Sequence, residues 1–344
     1  MYIETEKTSN NWKQYTLSND SGMQVSVLDY GGIITKVIVP NKHGEMENVV
    51  LGYKNIQDYE NDPNFFGAII GRVAGRIQSS SFQLDQQTFN VDRNEGKNHL
   101  HGGMKGFHQV IWNVEPFQAA DMVGLKLHHV SPNGEGGYPG ELHVNVTYKL
   151  TNQNQFIIEY DAISDKKTAL ALTNHSYFNL TGNLKDTIHH HTVTIDSDQF
   201  IELNEELMPT GKKIDVADTP FEFQNGRMLK DGLNEEFAHN QIVGGGYDHY
   251  FIFNQRNKEA VRVQEEMSGR TMHISTNQPG MVMYTSNALE KGLKLIEGES
   301  RRYLGVCFET QGSPASLHHD GFPSIVLQAN QVYKKQTIFT FDID

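Results

Sequence analysis

The stretch LHVNVTYKL, residues 142–150, decides the fold class. Every second residue is apolar or aromatic: Leu142, Val144, Val146, Tyr148 and Leu150. His143, Asn145, Thr147 and Lys149 fall between them. Side chains alternate across a strand, so this spacing buries one set and leaves the other in water. The chain then meets Asn152, Gln153 and Asn154 and resumes as FIIEYDAIS, residues 156–164, which predicts an antiparallel hairpin.

The same period of two recurs on either side. MQVSVLDY (23–30) turns at Gly31 and Gly32 and continues as IITKVIV (33–39). Further strands are expected in HTVTID, YDHYFIF, AVRVQEE, TMHIST, GMVMYTS, LGVCFET and QTIFTFDI, separated by clusters of Gly, Asn and Asp. Amphipathic helices of three turns are missing from the pattern. NIQDYEND and MLKDGLNEEF are at most short ones. The expectation is an all-β chain, a large antiparallel β-sandwich with only short helices, formed by residues 1–344 as a single domain.

Composition narrows the function. The chain has 344 residues and a net charge of −13, from 29 Lys and Arg against 42 Asp and Glu. It has no basic run, so a nucleic-acid partner is not expected. The opening MYIETEKTSNNWKQY has no apolar core of a secretory signal, and no stretch approaches the ~20 apolar residues of a membrane span. Cys307 is the one cysteine, so no internal disulfide can form. A reducing, cytoplasmic location fits these features.

Several segments carry residues that strands and loops do not need for folding. LALTNHSYFNL (170–180) reads as a half-buried strand with His175 in its middle, either a satisfied core histidine or a proton-transfer residue. Ser176 beside it makes no triad, because adjacent strand residues face opposite ways. GAIIGRVAGRI (67–77) sets Arg72 and Arg76 among glycines, on one side of an extended loop by even spacing. NHLHGG (98–103) holds His99 and His101, which on a strand would face the same way as a weak metal pair. His189 and His191 give the same weak hint. VGGGYDH (243–249) lacks the strand-to-helix context of a dinucleotide site, which leaves Asp248 as a hydroxyl acceptor at a loop's end. In GVCFETQG (305–312), Cys307 and Glu309 share one face and Phe308 takes the other. If Cys307 faces the interior, as a small Cys usually does, Glu309 is drawn inward and its pKa shifts, as a general base needs; the alternative is a strand-end Glu turned to solvent.

Taken in order, GRVAGRI, NHLHGG, NHSYFNL, YDHYF, QPGMVMYT and ETQ resemble the aldose 1-epimerases, also called galactose mutarotases. The resemblance runs from about Leu28 to Phe341. It implies an antiparallel β-sandwich with the sugar in an open cleft across one sheet. Residue by residue, it implies Glu309 as general base and His175 as general acid. His101 would bind near the anomeric and ring oxygens, Arg76 and Asp248 would bind sugar hydroxyls, and Gln278 would be a further contact. Gly75 departs from the family pattern, which often has Asn there. No cofactor and no metal are implied. The partner is a free aldohexose such as galactose or glucose, and the chain would be a monomer or homodimer. Two other readings are a hexose-6-phosphate 1-epimerase, which would need a basic cluster for phosphate, and a non-catalytic sugar-binding protein on the same scaffold.

The chemistry of anomer exchange asks for such residues. A hemiacetal opens when one proton leaves the C1 hydroxyl and another reaches the ring oxygen. Rotation about C1–C2 and reclosure reverse both transfers. A carboxylate and an imidazolium suffice, which predicts a histidine with a raised pKa beside a carboxylate.

Overall fold

The computed structural model describes residues 1–254 and 259–344. The hairpin forms as its alternation dictates. Strand Leu142–Thr151 pairs antiparallel with Gln155–Ser164, from Leu142 opposite Ser164 to Leu150 opposite Phe156. Leu142, Val144, Val146, Tyr148 and Leu150 are fully buried, and the turn closes with Asn154 at φ = 55°. Asn tolerates this left-handed conformation because its short polar side chain bonds locally.

That hairpin lies within a nine-stranded sheet. In spatial order the strands are Asn113–Gln118, Met122–Ser131, Leu142–Thr151, Gln155–Ser164, Val332–Ile343, Arg270–Thr276, Glu259–Glu265, Thr192–Ile195 and Arg227–Met228. A five-stranded meander, Tyr2–Lys7, Lys13–Ser18, Gln24–Leu28, Ile34–Pro40 and Met46–Asn48, forms a second sheet. A third has six strands in the order Tyr177–Phe178, Val306–Gln311, Gly280–Tyr284, Asp248–Phe253, Ser197–Leu203 and Pro209–Asp215. One apolar cluster joins inward side chains of all three, among them Leu17, Val25, Val146, Tyr148, Met272, Met281, Val306 and Phe308. The helices of the described residues are short: an α-helix at Ala238–Ile242 and several single 3-10 turns. None is long and apolar enough to cross a membrane.

A buried ion pair ties the meander to the long sheet. Arg270, 1% exposed, donates to Glu47 at 2.7 Å, to the carbonyls of Pro40 (2.9 Å) and Leu180 (3.0 Å), and more distantly to that of Val39. Lys185 bonds the other oxygen of Glu47. Together the two cations hold the Glu47 carboxyl below its ordinary pKa against the opposing effect of burial.

The six-stranded sheet has two unlike faces. Met281, Met283, Val306, Phe308 and Phe251 point into the core. Asp248, Tyr250, Val282, Tyr284, Glu309 and Gln311 alternate with them and point outward, into a cleft. Long loops before residue 112 and the segment around residue 175 wall this cleft on the other side.

Candidate active site

The cleft encloses ≈450 Å³, within the ~300–1,000 Å³ range of small-molecule sites. Its floor follows from strand register. Val282 stands opposite both Tyr250 and Glu309, and Tyr284 stands opposite both Asp248 and Cys307. Outward positions of three neighbouring strands therefore line up in two rows. Phe308 faces the core and Cys307 and Glu309 face the cleft side, as their spacing predicts.

The segment around His175 is not the half-buried strand expected from LALTNHSYFNL. Thr173–Asn174 pairs with Ile69–Ile70, Tyr177–Phe178 pairs with strand Val306–Gln311, and the two residues between belong to neither ladder. All eleven positions from 170 to 180 are buried. The break is made by Asn174, whose carboxamide oxygen accepts from the Ser176 amide (3.1 Å) and hydroxyl (2.7 Å). Such side-chain turns compete with sheet pairing. The hydroxyl of Ser176 is thereby spent on the turn, in keeping with the absence of a triad.

His175 enters the cleft edge-on against one strand. Its Nε2 is 3.4 Å from Glu309 Oε1 and its Nδ1 is 3.5 Å from Cys307 Sγ. His175 is 4% exposed and Glu309 3%. Burial pushes Glu309 well above the usual carboxylate range, and the charge of Asp248 adds to this, while Arg76 opposes it. Burial pulls His175 down to about 4. The raised histidine expected from the sequence is therefore corrected: desolvation disfavours imidazolium more than a backbone hydrogen bond favours it, and the cationic form of His108 adds to the lowering. With Glu309 moved up and His175 moved down, the pair holds one proton between about pH 4 and the raised value of Glu309, and it titrates as a unit. Burial also raises the Cys307 thiol well above its ordinary value, so it remains protonated and unreactive.

His101 is placed by a turn. Its own φ is 49°, and its backbone N–H donates to the Gly75 carbonyl at 3.1 Å. The Gly75 N–H donates back to His101 Nδ1 at 3.1 Å. Burial, with the cationic forms of His175 and Arg76 close by, holds His101 well below its ordinary pKa. A neutral ring that accepts at Nδ1 carries its proton on Nε2, so His101 offers the cleft an N–H donor. Arg76 grips Glu95 through Nε and Nη2 at 2.7 and 2.8 Å, and its Nη1 is 3.9 Å from Asp248. Burial raises the pKa of Asp248, partly offset by Arg76.

His175, Glu309, His101, Arg76 and Asp248 thus converge on one cleft. Gln278 does not line it. Its amide lies 3.3 Å from the Leu172 carbonyl, and it is 1% exposed behind the sheet's end. Arg72 also parts from Arg76, because the chain turns at Gly75 (φ = 84°) and even spacing holds only in a continuous strand. It is buried and satisfies Ser131 and the carbonyls of Ser131, Pro132, Pro139 and Gly140. His99 and His101 separate for a similar reason: the strand ends at Leu100, and His99 is bound between the Asp92 carbonyl and the Tyr138 hydroxyl. His191 accepts from the Leu180 amide, while His189 contacts Thr187, so they share no ligand. Sequence reasoning missed Glu95 and Phe65, both in the cleft wall. RNEGKN and PNFFGA carry no pattern that would have marked them.

Among the described residues, one trio could hold a metal ion: ligand atoms of His101, His175 and Glu309 lie within 4.8 Å of one another. A cation there would occupy the atoms through which protons would otherwise move.

Comparison with known proteins places the chain in a family. A family model described as aldose 1-epimerase matches residues 13–340. The galactose mutarotase of Sus scrofa is 36% identical over 96% of this chain and 94% of its own length. The maltose epimerase of Levilactobacillus brevis is 32% identical over 92% of this chain and 91% of its own. The crystal structure of galactose 1-epimerase from Lactobacillus acidophilus superposes with a TM-score of 0.88 at 28% identity, covering 99% of this chain and 98% of that one.

Proposed function

This chain belongs to the aldose 1-epimerase family and interconverts the α and β anomers of hexoses, and on that footing we propose that Glu309 and His175 are its base and acid. One observation carries the assignment: the two reacting atoms are 3.4 Å apart at the cleft floor. The two oxygens they must serve, the C1 hydroxyl and the ring oxygen, are bonded to a single carbon. Ring opening starts from the less populated tautomer of the pair, with Glu309 as carboxylate and His175 as imidazolium: a proton moves from the hydroxyl to Glu309 and another from His175 Nε2 to the ring oxygen. A carboxylate and an imidazolium become a neutral acid and a neutral imidazole. A buried site disfavours the charged pair more than the neutral one, so the desolvation that shifts both groups assists the opening step. Asp248 strengthens the base by its charge, and His101 donates from Nε2 to a sugar oxygen. Arg76 and Asp248 bind hydroxyls, with Glu95 holding the guanidinium plane.

The substrate we assign is a free hexose, galactose or glucose, rather than a sugar phosphate. Among the described residues that line the cleft, Arg76 is the only Lys or Arg, against Glu95, Asp248, Glu290 and Glu309. A phosphate would meet net negative charge there. The acid–base pair likewise favours an enzyme over a sugar-binding protein. Gln278 has no part in the site we propose, and the single, fully buried cysteine favours the cytoplasm.

Polarimetry on freshly dissolved α-D-galactose tests the reading. Acceleration over buffer is expected, with full rate kept after chelator treatment. A rate that disappears with the chelator and returns with added metal would move the chemistry from the proton pair to an ion on the same trio. The pH profile gives a second check. Adding a second proton to the pair removes the base, so kcat/KM should fall on the acid side only near pH 4, where His175 titrates. An acid limb near the ordinary histidine value would contradict the buried, one-proton pair.

A further inference from the structure

Phe65 stands at φ = 57°, in the left-handed region where a bulky side chain is an outlier. Such strain persists only where the surroundings over-determine it. Here Asp62 does so. One of its oxygens accepts from the Tyr53 hydroxyl and the Asn64 amide, both at 2.8 Å, and the other from the Phe66 amide at 2.6 Å. The Tyr177 hydroxyl donates to the Asn64 carbonyl at 2.9 Å, and the Ala68 amide to the Phe65 carbonyl at 3.1 Å. Both flanks of Phe65 are thus fixed, one of them to a residue two positions from His175.

The clamp delivers the ring to three imidazoles. Ring centroids lie 4.8 Å from His101 and 4.9 Å from His108, both edge-on, and 5.8 Å from His175, tilted at 37°. His101 and His175 meet each other at 5.3 Å and 88°. Phe65 is half-buried: it packs against the edge of a smaller apolar cluster on one side and lines the cleft on the other. An apolar ring on these faces keeps water off them and leaves the nitrogen edges for hydrogen bonds. For His101 that edge is Nε2, because Nδ1 is bound to Gly75, and for His175 it is the Nε2 beside Glu309.

We propose that Phe65 is a positioning residue of the reaction, its ring fixing the planes of His101 and His175, with Asp62 as the clamp that holds it in its left-handed conformation. The inference rests on the acid role given to His175 above. It differs from ordinary packing in what it asks of the ring: shape and orientation rather than bulk.

The test compares galactose mutarotation by Phe65→Leu, Phe65→Tyr, Asp62→Asn and His175→Asn. Phe65→Leu keeps apolar volume and should lose kcat by about tenfold to a hundredfold, the scale of a small misplacement, with KM altered less than about threefold. Phe65→Tyr keeps the planar ring and should restore kcat. Asp62→Asn, away from the reacting atoms, should reproduce the kcat of Phe65→Leu with native circular dichroism. Phe65→Leu with the kcat of Phe65→Tyr overturns the proposal. If Phe65→Leu does not fold, Asp62→Asn decides: parental kcat overturns it, and a lowered kcat at unchanged KM supports it. His175→Asn separates this from the underlying reading. Parental activity in that variant refutes the acid assignment itself, whereas its inactivity beside a fully active Phe65→Leu refutes only the role of Phe65.

Discussion

Glu309→Gln is expected to lower kcat for galactose mutarotation by about 10²–10⁴-fold, the contribution of a well-placed base. The amide is nearly the same shape, fills the same buried position and can still bond a sugar oxygen, but it cannot take the C1 proton. Stability should move the other way. The folded pKa of Glu309 lies above its unfolded value, so the folded state binds the extra proton. Its contribution is full below the unfolded pKa and is lost as pH rises through the folded one. A neutral Gln removes that loss, so Tm at pH 7–8 should equal or exceed the parent's. Polarimetry and thermal melts on one preparation read both. A variant within a few-fold of parental kcat would end the base assignment, and a lower Tm would argue that Glu309 is a stabilising ion rather than a tuned acid.

The largest stability effect is expected far from the cleft, at Arg270. Removing one partner of a buried pair strands the other without its counter-ion, at a cost of about 3–5 kcal/mol. Arg270→Met would leave Glu47 with Lys185 alone and remove the side-chain donor to the Pro40 carbonyl, while the Leu180 carbonyl keeps its bond from the Ser268 hydroxyl. With an unfolding entropy of roughly 2 cal/mol/K per residue, that corresponds to a Tm lowered by about 4–7 °C. The kcat of the folded fraction should be unchanged, because Arg270 touches no residue of the cleft wall. An unaltered Tm would show that the meander is held to the long sheet by apolar contacts alone.

The sequence made the strands legible where each buries one face. The hairpin at 142–164 and the split of Cys307 and Glu309 from Phe308 follow from alternation, and both stand in the structure. The roles at the site came through resemblance, because a cleft joins residues that no local period relates. Arg72 and Arg76, and His99 and His101, were paired by even spacing, but Gly75 and His101 adopt left-handed conformations that reset it. The apolar pattern around His175 is continuous and so reads as one strand, whereas the turn made by Asn174 breaks the ladder. Glu95 was invisible because its importance lies in an arginine 19 residues away. The direction of the His175 shift depended on burial on every side, which a strand pattern with one wet face understates.

The meeting of His175 with the strand at Cys307 and Glu309 spans 132 residues of chain. Contacts of such separation form slowly, since the loop between them must be ordered before they stabilise anything. During synthesis, every residue before strand Val306–Gln311 can leave the ribosome without an acid–base pair having formed. Strand Val306–Gln311 must then insert between Tyr177–Phe178 and Gly280–Tyr284, both already made. Until it does, the facing edges of those two strands lie unpaired, so the step that completes the acid–base pair is also the one that closes an open sheet edge against aggregation.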